Sequence, residues 1–246
     1  MASKPRYPKT ALITGAARGI GAAFARHLAS QGIAVAIHYR GSTKAAQAIL
    51  KDCKKHAPSS ALVRGDLTKL KDAERVAKEA LKKLGNVDLL INNVGNYLRK
   101  DILDMSVDEW RDQIESNLYT TFFMCRALIP HMVKRNYGRV VNIGYAGGQQ
   151  AFYNRKTVPY HIAKTGVHIL TRNLAASVAR QGVTVNCIGV GVMENSVRKP
   201  ASIPAGRIGV FADLTNALDF FIRPESAYVN GAQLDVSGAW LPEQIL

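Results

Sequence analysis

Two patterns of hydrophobic and polar positions alternate along the chain. Short, continuous apolar runs rich in Val, Ile and Leu are typical of strands that are buried on both faces. They predict strands at 11–14, 34–39, 61–63, 87–91, 139–143, 183–188 and 233–236. Longer stretches with one apolar face predict helices at 19–31, 43–55, 71–84, 107–135, 160–181 and 212–222. Because strands and helices alternate, we expect an α/β fold: a doubly wound parallel sheet of about seven strands with helices on both faces.

The sequence gives no sign of an internal division. Its 246 residues contain no repeat, no low-complexity tract and no linker, and this length fits one large domain better than two small ones. We therefore expect a single domain over residues 1–246, with a flexible N-terminus at 1–8. The stretch 189–207 is the main candidate for irregular structure.

Composition is ordinary for a globular protein, with 47% hydrophobic and 21% charged residues. No apolar run approaches the roughly 20 residues that span a bilayer, and the basic N-terminus lacks the apolar segment of a signal peptide. The three cysteines, Cys53, Cys125 and Cys187, are an odd number without metal-ligand spacing. We expect free thiols in a reducing cytoplasm, no metal site and no membrane association.

The charge is distributed unevenly. Residues 1–100 hold 19 Lys and Arg against 6 Asp and Glu, whereas the remainder holds 14 against 12. This bias is consistent with attraction to a phosphate-bearing ligand or an acidic partner. For the lysines on the predicted helices, a solvated surface is the simpler interpretation. We do not expect nucleic-acid binding, because no nucleic-acid motif accompanies the charge.

A glycine-rich turn separates the first predicted strand from the first helix. Gly15 allows a tight turn, Gly19 lets the backbone approach a pyrophosphate, and Gly21 lets the helix pack close to the strand. The helix N-terminus adds free N–H groups and a favourable dipole for phosphates. The turn, with Arg18 and Ile20 inside it, therefore predicts a dinucleotide site. A glycine-rich turn without a ligand is the alternative, which the strand–turn–helix context disfavours.

The end of the second predicted strand should meet the adenosine ribose. An acid there binds the ribose 2′-hydroxyl and favours NAD, but residues 38–42 contain none. Arg40 and Arg18 together predict binding of a 2′-phosphate, and hence NADP, with Tyr39 and Ser42 beside it. The alternative is that Arg40 lies on a turn without binding a ligand.

Tyr160 and Lys164 form a candidate acid–base pair. Four residues apart on a predicted helix, they share one face. A tyrosine has an ordinary pKa of about 10, and a nearby ammonium favours its phenolate and lowers that pKa. This pairing suits acid–base catalysis near neutral pH. An ordinary amphipathic helix would give the same spacing. The pair therefore indicates an active site only in combination with the glycine-rich turn.

These motifs resemble those of the classical short-chain dehydrogenase/reductase family, from about Lys9 to Trp240. The matching segments are Thr14 to Gly21, Asp66-Leu67, Asn92-Asn93-Val94-Gly95, Asn117, and Tyr160 with Lys164. The resemblance implies a Rossmann fold and a homotetramer or dimer. It also implies an adenine contact through Asp66 and Leu67, and further cofactor contacts through Asn93, Val94, Gly95 and Val192.

The same resemblance assigns roles in catalysis. It implies that Tyr160 protonates the carbonyl oxygen while a reduced nicotinamide supplies hydride. Lys164 would also hold the nicotinamide ribose, and Asn117 would anchor a water in a proton relay. All three are candidate catalytic residues.

The chain departs from the family at its catalytic serine. Tyr145 occupies that position, and no serine occurs between Ser116 and Ser177. A phenolic hydroxyl can also donate a hydrogen bond to a substrate oxygen, from a longer side chain. Tyr145 is therefore the fourth candidate catalytic residue. Tyr153 and Thr157 are alternative hydroxyls.

The resemblance implies an NADPH-dependent reductase of a small carbonyl substrate. Segments 203–209 and 230–233 are similar to the β-ketoacyl reductase branch, which favours a β-ketoacyl thioester linked to a carrier protein or CoA. Segment 38–40 is similar to pteridine reductases, so a pteridine substrate is the alternative. The unusual Tyr145 leaves a third possibility from another class, an NADP-binding protein with little turnover.

Overall fold

The protein forms one seven-stranded parallel sheet in a computed structural model that describes residues 6–150, 154–197 and 199–240. The strand order is β3-β2-β1-β4-β5-β6-β7, and every neighbouring pair is parallel. The strands are β1 Thr10–Ile13, β2 Ala34–Tyr39, β3 Ala61–Arg64, β4 Leu89–Asn92, β5 Gly138–Tyr145, β6 Val183–Val190 and β7 Gln233–Val236. The predicted doubly wound sheet of seven strands is confirmed.

Helices cover both faces of the sheet. They are α1 Gly19–Ser30, α2 Thr43–Lys54, α3 Leu70–Leu84, α4 Val107–Ile114, α5 Thr120–Lys134, α6 Val158–Val178 and α7 Phe211–Ile222. None of the helices in the described ranges is long and apolar enough to cross a membrane.

Two hydrophobic cores lie on opposite faces of the sheet, because successive residues of a strand point to opposite sides. Ile13 of β1 packs in one core with Phe24 and Phe221, and Leu12 packs in the other with Met124. All of these side chains are buried. Burial on both faces explains why the strands are continuous apolar runs.

The helix predicted over 107–135 is not a uniform α-helix. Helix α4 ends at Ile114, a π-helical turn covers Glu115–Tyr119, and α5 begins at Thr120. A π turn inserts an extra residue without disturbing the apolar face enough to change the sequence pattern, and such turns occur often at functional sites. Asn117 lies within this turn.

Strand order creates a crevice at the carboxyl end of β1. The chain crosses from β1 to β2 on one side and from β3 to β4 on the other, so the connections diverge at the β1–β4 pair. Ligands of open α/β sheets bind at such a switch point. The backbone N–H of Thr14 donates to the Ile91 carbonyl at 3.0 Å and joins the two strand ends there.

The N-terminal segment is attached near the opposite end of the sheet. Residues 1–5 of the expected flexible N-terminus lie outside the described residues. The Arg6 carbonyl accepts a hydrogen bond of 2.6 Å from the Tyr137 hydroxyl. The Arg6 guanidinium also lies 3.7 Å from the Asp88 carboxylate.

Candidate active site and dinucleotide cleft

The phosphate turn has the backbone conformation that its glycines predict. Gly15 and Gly19 adopt φ values of +63° and +56°, which favour glycine. A Cβ on Gly21 would lie 2.6 Å from the Gly15 carbonyl oxygen, so only glycine fits this close approach. No side chain caps α1 at Arg18, and its first turn has no acidic residue. The N-terminal N–H groups of α1 can therefore bind an anion.

Side chains immediately after β1 and β4 fix the shape of this turn. The Thr14 hydroxyl accepts hydrogen bonds from the N–H groups of Asn93, at 2.8 Å, and Val94, at 3.1 Å. In return, the Asn93 amide donates to the carbonyls of Thr14, at 3.0 Å, and Gly15, at 3.2 Å. Asn93 and Val94, which were expected as cofactor contacts, thus also hold the turn against β4.

A cleft of about 330 Å³ runs from this turn to the ends of β2 and β3. Ten of the predicted cofactor-binding residues line it: Gly15, Arg18, Tyr39, Arg40, Ser42, Asp66, Leu67, Asn93, Val94 and Gly95. Gly19, Ile20 and Gly21 belong to the turn and the start of α1. Val192 is buried after β6. The cleft also includes residues that the sequence analysis did not select: Ala17, His38, Gly41, Gly65, Thr68, Asn96, Ser116 and Thr120.

The adenosine end of the cleft presents two exposed arginines. The Arg40 side chain is 65% exposed, and its guanidinium lies 3.8 Å from the Asp66 carboxylate. An exposed pair at this distance contributes little, so Arg40 stays available to a phosphate. Arg18 is exposed as well. The Asp66 carboxylate accepts hydrogen bonds from both the N–H and the hydroxyl of Thr68.

The catalytic candidates converge near the carboxyl ends of β4 and β5. Lys164 on α6 is buried, and its ammonium donates to the Ile143 carbonyl at 2.8 Å. The same ammonium lies 5.7 Å from the centre of the Tyr160 ring. Burial lowers the pKa of Lys164 to about 8, because desolvation disfavours the charged form. Lys164 is therefore still mainly protonated at neutral pH and can give up a proton at little cost.

Asn117 presents a buried acceptor to this centre. Its amide nitrogen donates to the carbonyls of Asn96, at 2.8 Å, and Gln113, at 2.9 Å. Its side-chain oxygen is buried, and no described residue donates to it. Because an unsatisfied buried acceptor costs about 1–3 kcal/mol, this oxygen marks a place for a water or a ligand hydroxyl.

Gly95 leaves room beside that acceptor. A Cβ at this position would overlap the Asn117 side-chain oxygen and lie 3.5 Å from the Lys164 ammonium. The free acceptor and the side-chain-free backbone at Gly95 both suit the ribose and nicotinamide of a dinucleotide. The residues at this end of the crevice therefore fit the expected cofactor.

Tyr145 lies beside Tyr160 at the end of β5. Their ring centres are 5.4 Å apart and the rings are nearly perpendicular, at 79°. The Tyr145 carbonyl accepts a 3.3 Å hydrogen bond from Gln233, and the Gly147 N–H donates to Asp235 at 3.1 Å. Two side chains of β7 thus fix the backbone that carries Tyr145.

Thr157 and Tyr153 carry the two alternative hydroxyls. Thr157 is buried immediately before α6, and no described residue hydrogen bonds to its hydroxyl. Tyr153 lies outside the described residues.

Tyr97 is a site residue that sequence reasoning missed. The residue is 57% exposed, and the centre of its ring lies 4.9 Å from that of the Tyr160 ring, with an angle of 89° between the two ring planes. The available signal was an aromatic residue two positions after the Asn92 to Gly95 motif. The rings of Tyr97 and Tyr145 and the Lys164 ammonium thus lie around the Tyr160 ring. This arrangement can bind a carbonyl oxygen and deliver a proton to it.

Comparison with known proteins agrees with this fold. The short chain dehydrogenase family model matches residues 9–204. The 3-oxoacyl-acyl-carrier-protein reductase FabG of Vibrio cholerae is 35% identical over 94% of this chain and 96% of its own. The protein of the same name from Staphylococcus epidermidis is 30% identical over 94% of this chain and 98% of its own.

Solved structures give the same result. A blue fluorescent protein from a metagenomic library, crystallised with NADPH, has a TM-score of 0.87 and 26% identity over 95% of this chain and 98% of its own. A protein of Agrobacterium tumefaciens that is provisionally assigned as a gluconate dehydrogenase has a TM-score of 0.85 and 31% identity over 95% of this chain and 97% of its own. With family model, relatives and fold in agreement, the chain belongs to the short-chain dehydrogenase/reductase family, as an oxidoreductase that acts on a carbonyl or hydroxyl group.

Proposed function

We propose that this protein is an NADPH-dependent reductase of a β-ketoacyl thioester or a similar ketone. One observation carries the proposal: Tyr160, Lys164 and the free Asn117 acceptor converge beside Gly95, in the crevice that also contains the phosphate turn. A carbonyl bound against Tyr160 would therefore lie at the nicotinamide end of a dinucleotide whose phosphates occupy that turn.

The preference for NADP over NAD is supported by charge. Arg18 and Arg40 are exposed at the adenosine end, and β2 ends without the acid that would bind a free 2′-hydroxyl. A structural neighbour in complex with NADPH is consistent with this preference.

The β-ketoacyl substrate is supported by the relatives, which are named as 3-oxoacyl-acyl-carrier-protein reductases. We accordingly favour a substrate linked to a carrier protein or to CoA. A pteridine is the alternative within the same reaction class, supported only by the composition of segment 38–40.

The chain's own residues would donate the proton and then replace it. A bound NADPH would supply the hydride for the carbonyl carbon. The Tyr160 hydroxyl would give its proton to the oxygen, which completes the alcohol. The Lys164 ammonium stabilises the phenolate that forms, because an opposite charge nearby favours the ionised phenol. With its pKa lowered to about 8, Lys164 can then return a proton to Tyr160, and the Asn117 acceptor can hold a water that links this pair to solvent.

Tyr145 would replace the missing serine as the second hydrogen-bond donor to the substrate oxygen. Its ring contact with Tyr160 supports this role. Such a donor stabilises the charge that develops on the oxygen, and its loss typically costs roughly 10²–10³ in rate.

A homo-oligomer, tetramer or dimer, is part of the proposal. Apolar side chains are exposed on the π turn and on helices α5 and α6: Tyr119, Phe122, Ile162 and Ile169. Burying such a surface between copies of the chain would be favourable. Light scattering at several protein concentrations tests it, and a monomer at all of them would refute it.

Steady-state NADPH oxidation with β-ketoacyl thioesters, simple ketones and pteridines tests the proposed activity. We expect turnover with the thioesters and its loss in Tyr160→Phe. Turnover with pteridines alone would favour the alternative substrate. NADPH binding by calorimetry without oxidation by any substrate would identify a cofactor-binding protein instead, the alternative that the unusual Tyr145 suggests.

A further inference from the structure

His38 connects two walls of the dinucleotide cleft. It lies in β2 and is 2% exposed. Its Nδ1 lies 3.0 Å from the backbone nitrogen of Gly15, in the phosphate turn. Its Nε2 lies 3.1 Å from the carbonyl oxygen of Gly65, after β3. A single side chain thus bridges two segments that are 50 residues apart in the sequence.

The two partners determine the state of the ring. The Gly15 N–H can only donate, so Nδ1 accepts and carries no proton. The Gly65 carbonyl can only accept, so Nε2 carries the hydrogen and donates it. Both ring nitrogens are therefore used, and the ring is held in one orientation as a neutral tautomer.

The two segments that His38 bridges would both contact the adenosine half of the dinucleotide. Gly15 opens the turn that would hold the pyrophosphate, and Gly65 directly precedes Asp66 and Leu67 at the adenine side. Neighbouring backbone bonds reinforce the bridge. The Ala16 N–H donates to the His38 carbonyl at 2.8 Å, and the Gly65 N–H donates to the Tyr39 carbonyl at 3.1 Å. The side-chain bonds of His38 add the direct link between the walls.

We propose that His38 is a positioning residue for the adenosine half of the dinucleotide. It sets the spacing between the phosphate turn and the adenine-side segment, and thereby the affinity for an adenosine that carries a 2′-phosphate. The nicotinamide half binds beyond Gly95 and does not depend on this spacing. The inference rests on the proposed function only in taking NADP as the ligand.

Binding of cofactor fragments tests this role without turnover. His38→Leu keeps most of the side-chain volume and removes both hydrogen bonds. We expect it to raise the Kd of NADP and of adenosine 2′,5′-bisphosphate about 10- to 100-fold, measured by calorimetry, since 1.4 kcal/mol corresponds to about tenfold. The Kd of reduced nicotinamide mononucleotide should stay within about twofold of the wild type, as 0.4 kcal/mol corresponds to about that factor.

Two further variants separate positioning from general stability. In His38→Gln, the amide oxygen can accept from Gly15 and the amide nitrogen can donate to Gly65, so affinity should largely return. His131→Leu is the matched control, because His131 lies on α5 near Asp88, at the amino end of β4 and away from the cleft. It should leave the Kd of NADP unchanged. If His38→Leu does not fold, His38→Phe makes the same test with a planar ring.

The inference is overturned if a folded His38→Leu or His38→Phe binds NADP as the wild type does. It is also overturned if both fragments lose affinity equally, because the effect would then be a general loss of structure. Failure of the proposed function looks different: the wild type itself would bind neither NADP nor adenosine 2′,5′-bisphosphate.

Discussion

The two ends of the crevice are built in different ways. At the phosphate end, the groups that face the ligand are mainly backbone groups: the positive-φ glycines, the free N–H groups of α1, and a turn held by Thr14 and Asn93. At the catalytic end, the groups are side chains of Tyr160, Lys164 and Asn117. A site made of backbone needs glycine at a few positions, whereas a site made of side chains changes its chemistry with each substitution. We therefore expect Tyr145, at the position expected for the family's serine, to affect substrate choice and rate rather than cofactor binding.

The largest expected effect is the loss of kcat in a variant at Tyr160, and it tests whether the catalytic end can be changed without changing the phosphate end. Tyr160→Phe removes only a hydroxyl, so kcat should fall by roughly 10²–10⁴ while the Kd of NADPH hardly changes. Lys164→Ala should lower kcat and weaken NADPH binding, because it would also remove the proposed contact with the nicotinamide ribose. Steady-state kinetics and calorimetry on both variants check this. If Tyr160→Phe kept most activity, another acid would be present and the site assignment would be wrong.

Substitutions of Tyr145 test whether this unusual side chain participates in the reaction. If its hydroxyl replaces that of serine, Tyr145→Phe should lower kcat by roughly 10–10³ with a smaller effect on NADPH affinity. Tyr145→Ser is the matched probe, and raised activity toward ketoacyl substrates would show that tyrosine narrows the substrate range. If Tyr145→Phe leaves kcat unchanged in the same kinetic assay, Tyr145 is only a packing residue.

Cofactor preference tests the adenosine end. We expect NADP to bind at least about tenfold more tightly than NAD, a difference of about 1.4 kcal/mol, because Arg18 and Arg40 would bind the 2′-phosphate. Arg40→Asp should reduce or reverse this preference without changing binding of reduced nicotinamide mononucleotide. Calorimetric titration of each cofactor measures it, and equal affinities in the wild type would exclude this role for the arginines.

The smallest effect is on stability and comes from His38. Burial lowers its pKa from 6.5 to about 4, although the carboxylates of Asp66 and Asp72 oppose the shift. Between these values the unfolded chain binds one proton more than the native protein, so the unfolding free energy decreases as pH falls below 6.5. Between pH 7 and 5.5, this loss should be about 1 kcal/mol. Denaturant unfolding of wild type and His38→Gln measures it, and an equal pH dependence in both would contradict it.

Sequence reasoning succeeded where local pattern fixes structure. The apolar runs identified each described strand to within a few residues, and the glycines identified the turn, because both depend on neighbouring positions. It failed where long-range contacts decide. The bridge from His38 to Gly15 and Gly65, and the contact of Tyr97 with Tyr160, join segments that only the folded sheet brings together. The π turn at Asn117 was missed because an apolar face alone does not reveal one extra residue.

Transfer of hydrogen from a labelled cofactor tests the central claim most directly. The wild type would be incubated with a β-ketoacyl thioester and NADPH in which both hydrogens at C4 of the nicotinamide are replaced by deuterium, and the alcohol would be analysed by mass spectrometry. The account predicts one deuterium on the former carbonyl carbon in the wild type and almost none with Tyr160→Phe over the same time. An unlabelled alcohol, or equal transfer by Tyr160→Phe, would contradict it.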